Sequence, residues 1–144
     1  MFVNQQELST AIDKEIRFCG LVPLSSRTKE YCYRDLDVVM RHYNKTEFAI
    51  KHIECNGEFK SIIDEVISYM GIEMNHENPD NHISEAERNN RVIKERFRMA
   101  YYIFIYKNTP IIMISHLVMN APQSLNLFPA KGRVSAHYIP HIIL

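Results

Sequence analysis

The sequence predicts a single α/β domain over residues 1–144. Two observations predict it. A chain of 144 residues that is 46% hydrophobic can bury a core without disulfides or metals, and short β-branched and aromatic runs alternate with stretches of helical periodicity. The 3 cysteines are odd in number and irregularly spaced, which argues against a secreted disulfide framework or a zinc knuckle. We therefore expect a reducing, intracellular compartment.

The first third predicts two strands and one helix. The strands are Phe2-Val3 and residues 16–22, and Pro23 ends the second. Residues 28–43 follow with Thr28 as the N-cap. The apolar and aromatic residues at near-helical spacing in this helix are Tyr31, Leu36, Val39, Met40 and Tyr43.

The middle third continues the α/β alternation. Residues 48–55 alternate in character, which predicts a strand, and Asn56-Gly57 is the turn after it. Residues 59–70 carry apolar side chains at i, i+3, i+4, i+7, i+8 and i+11, so they predict an amphipathic helix, and Gly71 closes it. A short strand over residues 72–74 completes this part.

The last part predicts two helices. After a polar loop over residues 75–81, the longest helix runs from Ile83 or Ser84 to Tyr106. A second helix follows Pro110, and its end is bracketed by Pro122 and Pro129. The apolar stretch 99–121 is interrupted by a polar turn, so neither half is long enough to span a membrane and we expect no membrane association.

Charge is distributed unevenly, although the formal net charge is zero. Residues 46–86 hold two basic and nine acidic side chains, whereas residues 87–144 hold eight basic and two acidic ones. Charge alone leaves two interpretations open. The asymmetry is either a pair of solvated faces or an acidic metal-binding centre beside a phosphate-binding helix.

A cationic stripe runs along the long predicted helix. Glu87, Arg91, Lys94 and Arg98 lie at i, i+4, i+7 and i+11, and Arg88 lies alongside. One interpretation is a salt-bridged surface helix, in which Glu87 and Arg91 form an i,i+4 pair worth about 0.3 kcal/mol. The other is a phosphate-binding surface, because the cations cover about 15 Å at 1.5 Å per residue. We favour the second once the position of Glu87, at the start of a helix that follows a strand and turn, is considered.

Three stretches together resemble the integrase core of retroelements. Residues 55–59, Cys-Asn-Gly-Glu-Phe, resemble that family's strand-end motif Asp-Asn-Gly-Glu-Phe, and residues 83–96 resemble the helix-opening motif Glu-Arg-x-x-Arg-x-x-Lys of copia-type elements. Residues 125–131 and 135–144 are similar to a stretch beyond the core helices. The resemblance covers nearly the whole chain. It implies a ribonuclease-H-like mixed sheet flanked by helices that lacks part of its first strand, with residues 122–144 as a C-terminal extension of the core.

The resemblance also implies a metal site and shows where this chain departs from it. In the family, two Asp and one Glu hold Mg²⁺ or Mn²⁺ for strand transfer, in which two metals activate the attacking oxygen and stabilise the leaving one. Glu87 matches the third carboxylate and is the one expected metal ligand, whereas Asn56 takes the place of the second and brings no charge. The first carboxylate would precede Met1-Phe2-Val3-Asn4 and is missing, and Asp13 is a poor substitute on geometry. We therefore expect no tightly bound ion and no catalysis.

The functional prediction is a degenerate or truncated integrase core of a retrotransposon polyprotein, intracellular and nuclear. Its partner is DNA, which Arg88, Arg91, Lys94 and Arg98 contact through phosphates without sequence specificity. By family analogy we also expect a homodimer through the C-terminal helices. The aromatic run Tyr101-Tyr102 could stack on bases, but at helical spacing we interpret it as core and interface.

Two rival functions stay open. In the first, Glu87, Asn56 and either Glu58 or Glu54 assemble a weak metal site, so the chain is a weakly active nuclease or integrase. In the second, the chain is a domesticated protein-interaction module that uses the helices around 97–117. A metal titration distinguishes the weakly active enzyme from the degenerate integrase core. A DNA-binding series at two salt concentrations distinguishes the protein-interaction module from that core.

Overall fold

The computed structural model is a mixed α/β structure with five strands and five α-helices among the residues it describes, which are 2–3, 6–24, 26–76, 84–105, 108–129, 135 and 137–144. The elements are β1 Phe2–Val3, β2 Gln6–Ile12, β3 Cys19–Leu24, α1 Lys29–Lys45, β4 His52–Cys55, α2 Ile63–Glu65, β5 Glu73–His76, α3 Ser84–Ile103, α4 Ile111–Asn126 and α5 Pro140–Ile143. One sheet has the order β1-β2-β3, with β1 antiparallel to β2, and β4 pairs with β5 in parallel.

The chain forms two compact units, and the first comprises Met1–Pro23 and Arg88–Leu144. Its core brings together the start of β3, the middle of α3 and the end of α4. Cys19, Ile93 and Ala121 are buried there, and Leu125 packs against them. The inner faces of α3 and α4 thus meet the first sheet around Cys19.

The second unit is Leu24–Glu87. Its core lies among α1, the two parallel strands and the helical segment 57–70. The buried residues are Cys32, Met40, Cys55, Ile62, Val66, Ile72 and Met74. Both strands of the parallel pair therefore contribute to the core, and the helical segment covers it.

The first sheet differs from the prediction in two ways. Residues 6–12 form β2, which was not predicted, because Leu8 is the one buried side chain over the described positions 7–12 and the polar residues hide the alternation. The strand predicted over 16–22 begins later, at Cys19, and continues past Pro23 to Leu24. Pro23 is exposed and lacks only an N–H, so it does not end the strand.

The helix α1 confirms the prediction, including its start. Thr28 occupies the N-cap position in extended conformation, but its side chain makes no capping hydrogen bond. Of the predicted apolar positions, Met40 and Tyr43 are buried, whereas Tyr31 is exposed.

The predicted helix over 59–70 exists but is irregular. It winds as a 3-10 helix over Gly57–Ile62, one α-helical turn in α2 and a π-helical turn over Val66–Met70. Gly71 closes it as predicted, with φ 65° and ψ 25°, because a left-handed cap suits a residue without a Cβ. The preceding strand, β4, is confined to the last four residues of the predicted range 48–55.

The two long helices follow the prediction with one correction. Helix α3 covers Ser84–Ile103 and ends before the predicted Tyr106, because Phe104 and Ile105 are not helical. Ile83, Tyr106 and residues 77–81 of the predicted loop lie outside the described residues. Helix α4 ends at Asn126, between Pro122 and Pro129 as predicted, and Pro122 lies inside the helix and is buried. The assignment of residues 1–144 to one domain, with 122–144 as an extension, stays a prediction.

Candidate nucleic-acid interface

Asn56 lies where the parallel strands end. Cys55, the last residue of β4, pairs with His76, the last residue of β5, so both strands end at one edge of the sheet. Asn56 follows as the exposed N-cap of the 3-10 helix, and its carbonyl accepts a hydrogen bond from Phe59 N at 3.0 Å. Its side chain makes no capping bond, so the amide does not cap this helix.

The carboxylates nearest this turn in sequence have cationic or titratable neighbours. Glu58 Oε1 lies 3.1 Å from Arg27 Nη1. Glu54 Oε1 lies 3.9 Å from His52 Nε2, and the other ring nitrogen of His52 lies 3.8 Å from Glu73 Oε2. Of the two carboxylates of the rival metal site, Glu58 is thus paired with a cation, whereas Glu54 lies near an imidazole that is charged only when protonated.

Cys55 brings no negative charge to the turn. Its thiol is buried and donates to Asn75 O at 3.5 Å, and burial raises the pKa of Cys55 to about 11. The thiol is therefore protonated at neutral pH, and a sulfur is in any case a poor ligand for the hard ions Mg²⁺ and Mn²⁺. Within the described residues, no group of three or more His, Cys, Asp or Glu side chains is arranged to hold a metal ion.

Glu87 lies in the first turn of α3 and is exposed. It belongs to the same compact unit as Asn56. The chain between β5 and α3 includes residues 77–83, which lie outside the described residues. Asp13 serves a different purpose, since its Oδ1 accepts from Glu15 N at 2.8 Å and from Ile16 N at 2.7 Å and so shapes the turn between β2 and β3.

The cationic stripe occupies the outer face of α3. Arg88, Arg91 and Arg98 are exposed and Lys94 is half-buried. The buried residues Asn89 and Ile93 lie on the opposite side of the helix. Within the part of the chain that the structure describes, none of the four cations is paired with a carboxylate, although Glu95 shares their face. The stripe therefore consists of three exposed cations and one half-buried cation.

A buried polar network holds the helix that carries the stripe. Asn126 accepts from Cys19 N at 2.8 Å and donates to Cys19 O at 2.9 Å. Asn89 donates to Cys19 Sγ at 3.1 Å, and Thr10 donates to Asn90 Oδ1 at 2.7 Å. Burial raises the pKa of Cys19 to about 11, and the Asn89 hydrogen bond partly offsets that rise. The network links β2, β3, α3 and α4 within the first unit.

Sequence reasoning missed this network. Its members are separated by up to 107 residues, so no local spacing reveals them. The one available signal was Asn126, because it lies in the stretch 125–131 that carried the family resemblance. The structure gives that stretch a physical role, since its asparagine satisfies both backbone groups of Cys19.

The tyrosines at the end of α3 correct the prediction in part. Tyr102 is 83% exposed and Tyr101 is 37% exposed. Tyr102 therefore lies outside the core, contrary to the part of the prediction that placed it there. Helical periodicity identifies the face on which a residue lies but not whether another element covers that face. Exposed apolar residues continue from here to the start of α4, and they are Met99, Ile103, Ile105, Ile111 and Ile112.

Comparison with solved structures identifies the fold. The chain superimposes on the catalytic core domain of BIV integrase with a TM-score of 0.68 and 18% sequence identity, over 97% of this chain and 86% of that one. The ribonuclease-H-like class predicted from the sequence is thereby confirmed. No protein-family model and no curated protein matches the sequence. No helix among the described residues is both long and apolar enough to cross a membrane.

Proposed function

We propose that this chain is a degenerate integrase core of copia-type retrotransposon origin that binds DNA through the cationic stripe and does not catalyse strand transfer. The stripe is Arg88, Arg91, Lys94 and Arg98. We place the protein inside the cell and in the nucleus, where its proposed partner, DNA, is found. The likeness to an integrase catalytic core supports the origin.

The observation that carries the proposal is the placement of four cations on one face of α3, where none is paired with a carboxylate among the described residues. Four cations on one face of α3 span about 15 Å at 1.5 Å per residue, a length that matches several phosphates of a duplex. The polar network around Cys19 fixes the opposite face of the helix, so the cations project from a rigid support. Contacts of this kind hold DNA without reading its sequence.

The donor chemistry at the turn supports the absence of catalysis. Asn56 offers a neutral amide oxygen, Cys55 is a protonated thiol and Glu58 is paired with Arg27. Hard divalent ions need several anionic oxygens, so these residues do not fit a tightly held Mg²⁺ or Mn²⁺. Glu87 alone matches a family ligand, and one carboxylate cannot hold two metals.

The DNA-binding proposal is tested by fluorescence anisotropy on a blunt duplex. The variant R91A/K94A removes two stripe cations, and we expect it to lose about tenfold or more in affinity at low salt. The matched control is R96A, since Arg96 is an exposed cation of the same helix that lies off the stripe face. Equal losses in the two variants would contradict the proposal.

The inactivity proposal needs a separate experiment. Calorimetric titration with Mg²⁺ and Mn²⁺, together with a strand-transfer assay, is performed on the protein and on E87Q. We expect neither specific heat of binding nor product, and no difference between the two proteins. A metal-dependent activity that E87Q abolishes would instead establish the weakly active nuclease or integrase.

A second function is favoured by the exposed apolar residues at the end of α3, in the following connection and at the start of α4. Met99, Ile103, Ile105, Ile111 and Ile112 suit a protein-interaction module. That function predicts no affinity for the duplex at any salt concentration. The anisotropy series therefore decides between the two.

A further inference from the structure

The exposed face of α3 changes its chemistry along the helix. Cations line it as far as Arg98, and two tyrosines follow. Tyr101 and Tyr102 lie three and four residues beyond Arg98, so all three side chains are neighbours on one helical face. Tyr102 is 83% exposed. The cationic stripe therefore ends in an aromatic side chain that remains in solvent.

Ring contacts hold these tyrosines in place. The rings of Phe97 and Tyr101 have centroids 6.0 Å apart at an interplanar angle of 36°, and those of Tyr101 and Tyr102 are 6.3 Å apart at 73°, an edge-to-face arrangement. Tyr101 is thus supported from the preceding turn, and it contacts Tyr102 by an edge contact that leaves most of the Tyr102 ring in solvent. A ring that already makes such a contact has less conformational entropy to lose when a ligand stacks on it.

The neighbouring charge indicates what would stack there. A flat aromatic group attached to an anionic chain can place its phosphates along the stripe and its ring on Tyr102. A second copy of this chain would instead bring its own four cations against these four, which costs affinity. Bases inside a duplex are already stacked on one another, so only an unpaired base can reach the tyrosine.

We infer that Tyr102, supported by Tyr101, is a stacking platform for an unpaired nucleobase, and that the preferred ligand is a DNA duplex with a single-stranded overhang. The inference rests on the proposed function, because the stripe must bind the duplex portion. It adds the structural class of DNA that the surface selects. Base identity matters little, since every base offers a π-face.

The test compares three fluorescent DNAs by anisotropy. They are a blunt duplex, the same duplex with a five-nucleotide overhang, and that overhang with abasic sites, which keeps the phosphates and removes the bases. We expect the protein to bind the natural overhang about tenfold more tightly than the abasic one. Y102L should reduce that ratio to below about twofold, whereas Y102F should retain it.

A matched control keeps the test specific. Tyr69 is 81% exposed and belongs to the other compact unit. Y69L should therefore leave the ratio between natural and abasic overhangs unchanged. Because both tyrosines are largely exposed, circular dichroism should show Y102L and Y69L folded like the parent protein.

The outcomes separate this inference from the proposed function. Equal affinity for natural and abasic overhangs, with salt-dependent binding of the blunt duplex intact, overturns the inference and leaves the proposed function standing. No binding to any of the three DNAs overturns both. Dissociation of a dimer by Y102L in sedimentation velocity assigns this face to self-association and also overturns the inference.

Discussion

Asn126 should be essential for the stability of the first compact unit. It is the last residue of α4, it is 6% exposed, and its side-chain amide makes two hydrogen bonds to the backbone of Cys19 at 2.8 and 2.9 Å. Replacing it with alanine removes both bonds. It also leaves a buried N–H and a buried carbonyl at the start of β3 without that partner.

The expected cost follows from these two bonds. A buried hydrogen bond contributes about 1 kcal/mol net, and a buried group left unsatisfied costs about 1–3 kcal/mol. We therefore expect N126A to lower the free energy of unfolding by about 3 kcal/mol, and the melting temperature by roughly 10 °C for a chain of this size. Since folded domains are stable by only about 5–15 kcal/mol, this is a large fraction of the total.

The assay is urea denaturation followed by circular dichroism, together with a thermal melt. N120A is the matched control, because Asn120 is an exposed asparagine of the same helix, and its replacement should change stability by no more than about 0.5 kcal/mol. N126D tests the hydrogen-bond pattern, since a carboxylate accepts from Cys19 N but cannot donate to Cys19 O. A loss in N126A no larger than that in N120A would refute the reasoning.

Three further predictions concern stability. G71A should lower the free energy of unfolding by about 1–2 kcal/mol, because the left-handed φ of 65° strains any residue with a Cβ, even though the added Cβ would meet no neighbouring group within 4 Å. G57A is the control in the same denaturation experiment, because its added Cβ is equally uncrowded. Burial raises the pKa of the Asp35 carboxyl, with Arg34 partly offsetting it, and one carboxylate oxygen has no hydrogen-bond partner among the described residues. A raised folded-state pKa favours the protonated form, so stability should fall as the pH rises from about 4, and D35N should melt higher at pH 7 with a flatter pH profile. I93A should cost about 2–5 kcal/mol because Ile93 is fully buried, and an unchanged urea midpoint would contradict the packing described for the first unit.

Local patterns predicted those parts of the fold that depend on local physics. The start of α1 at Lys29 and the glycine cap at Gly71 follow from helical periodicity and from the conformational freedom of glycine. The mixed winding of residues 57–70 does not follow, because the spacing of apolar residues does not distinguish 3-10, α and π turns. Strand β2 was missed since its polar side chains mask its single buried leucine.

In the candidate site, too, local patterns predicted some features, whereas others depend on long-range contacts. Helical spacing correctly put the four cations on the outer face of α3, because the period of the helix determines which residues share a face. The contact between Asn126 and Cys19 joins residues 107 positions apart, so only the folded chain reveals it. The exposure of Tyr102 likewise depends on whether another element covers its face, which periodicity does not record.

The salt dependence of duplex binding tests the central claim most directly. Four phosphate contacts predict that log K falls against log salt with a slope of about −3.6, and that R91Q moves the slope toward zero by about 0.9. The matched variant R96Q removes an equal charge from another face of α3 and should leave the slope unchanged. A slope near zero for the parent protein, or the same change in both variants, would contradict DNA binding by the stripe.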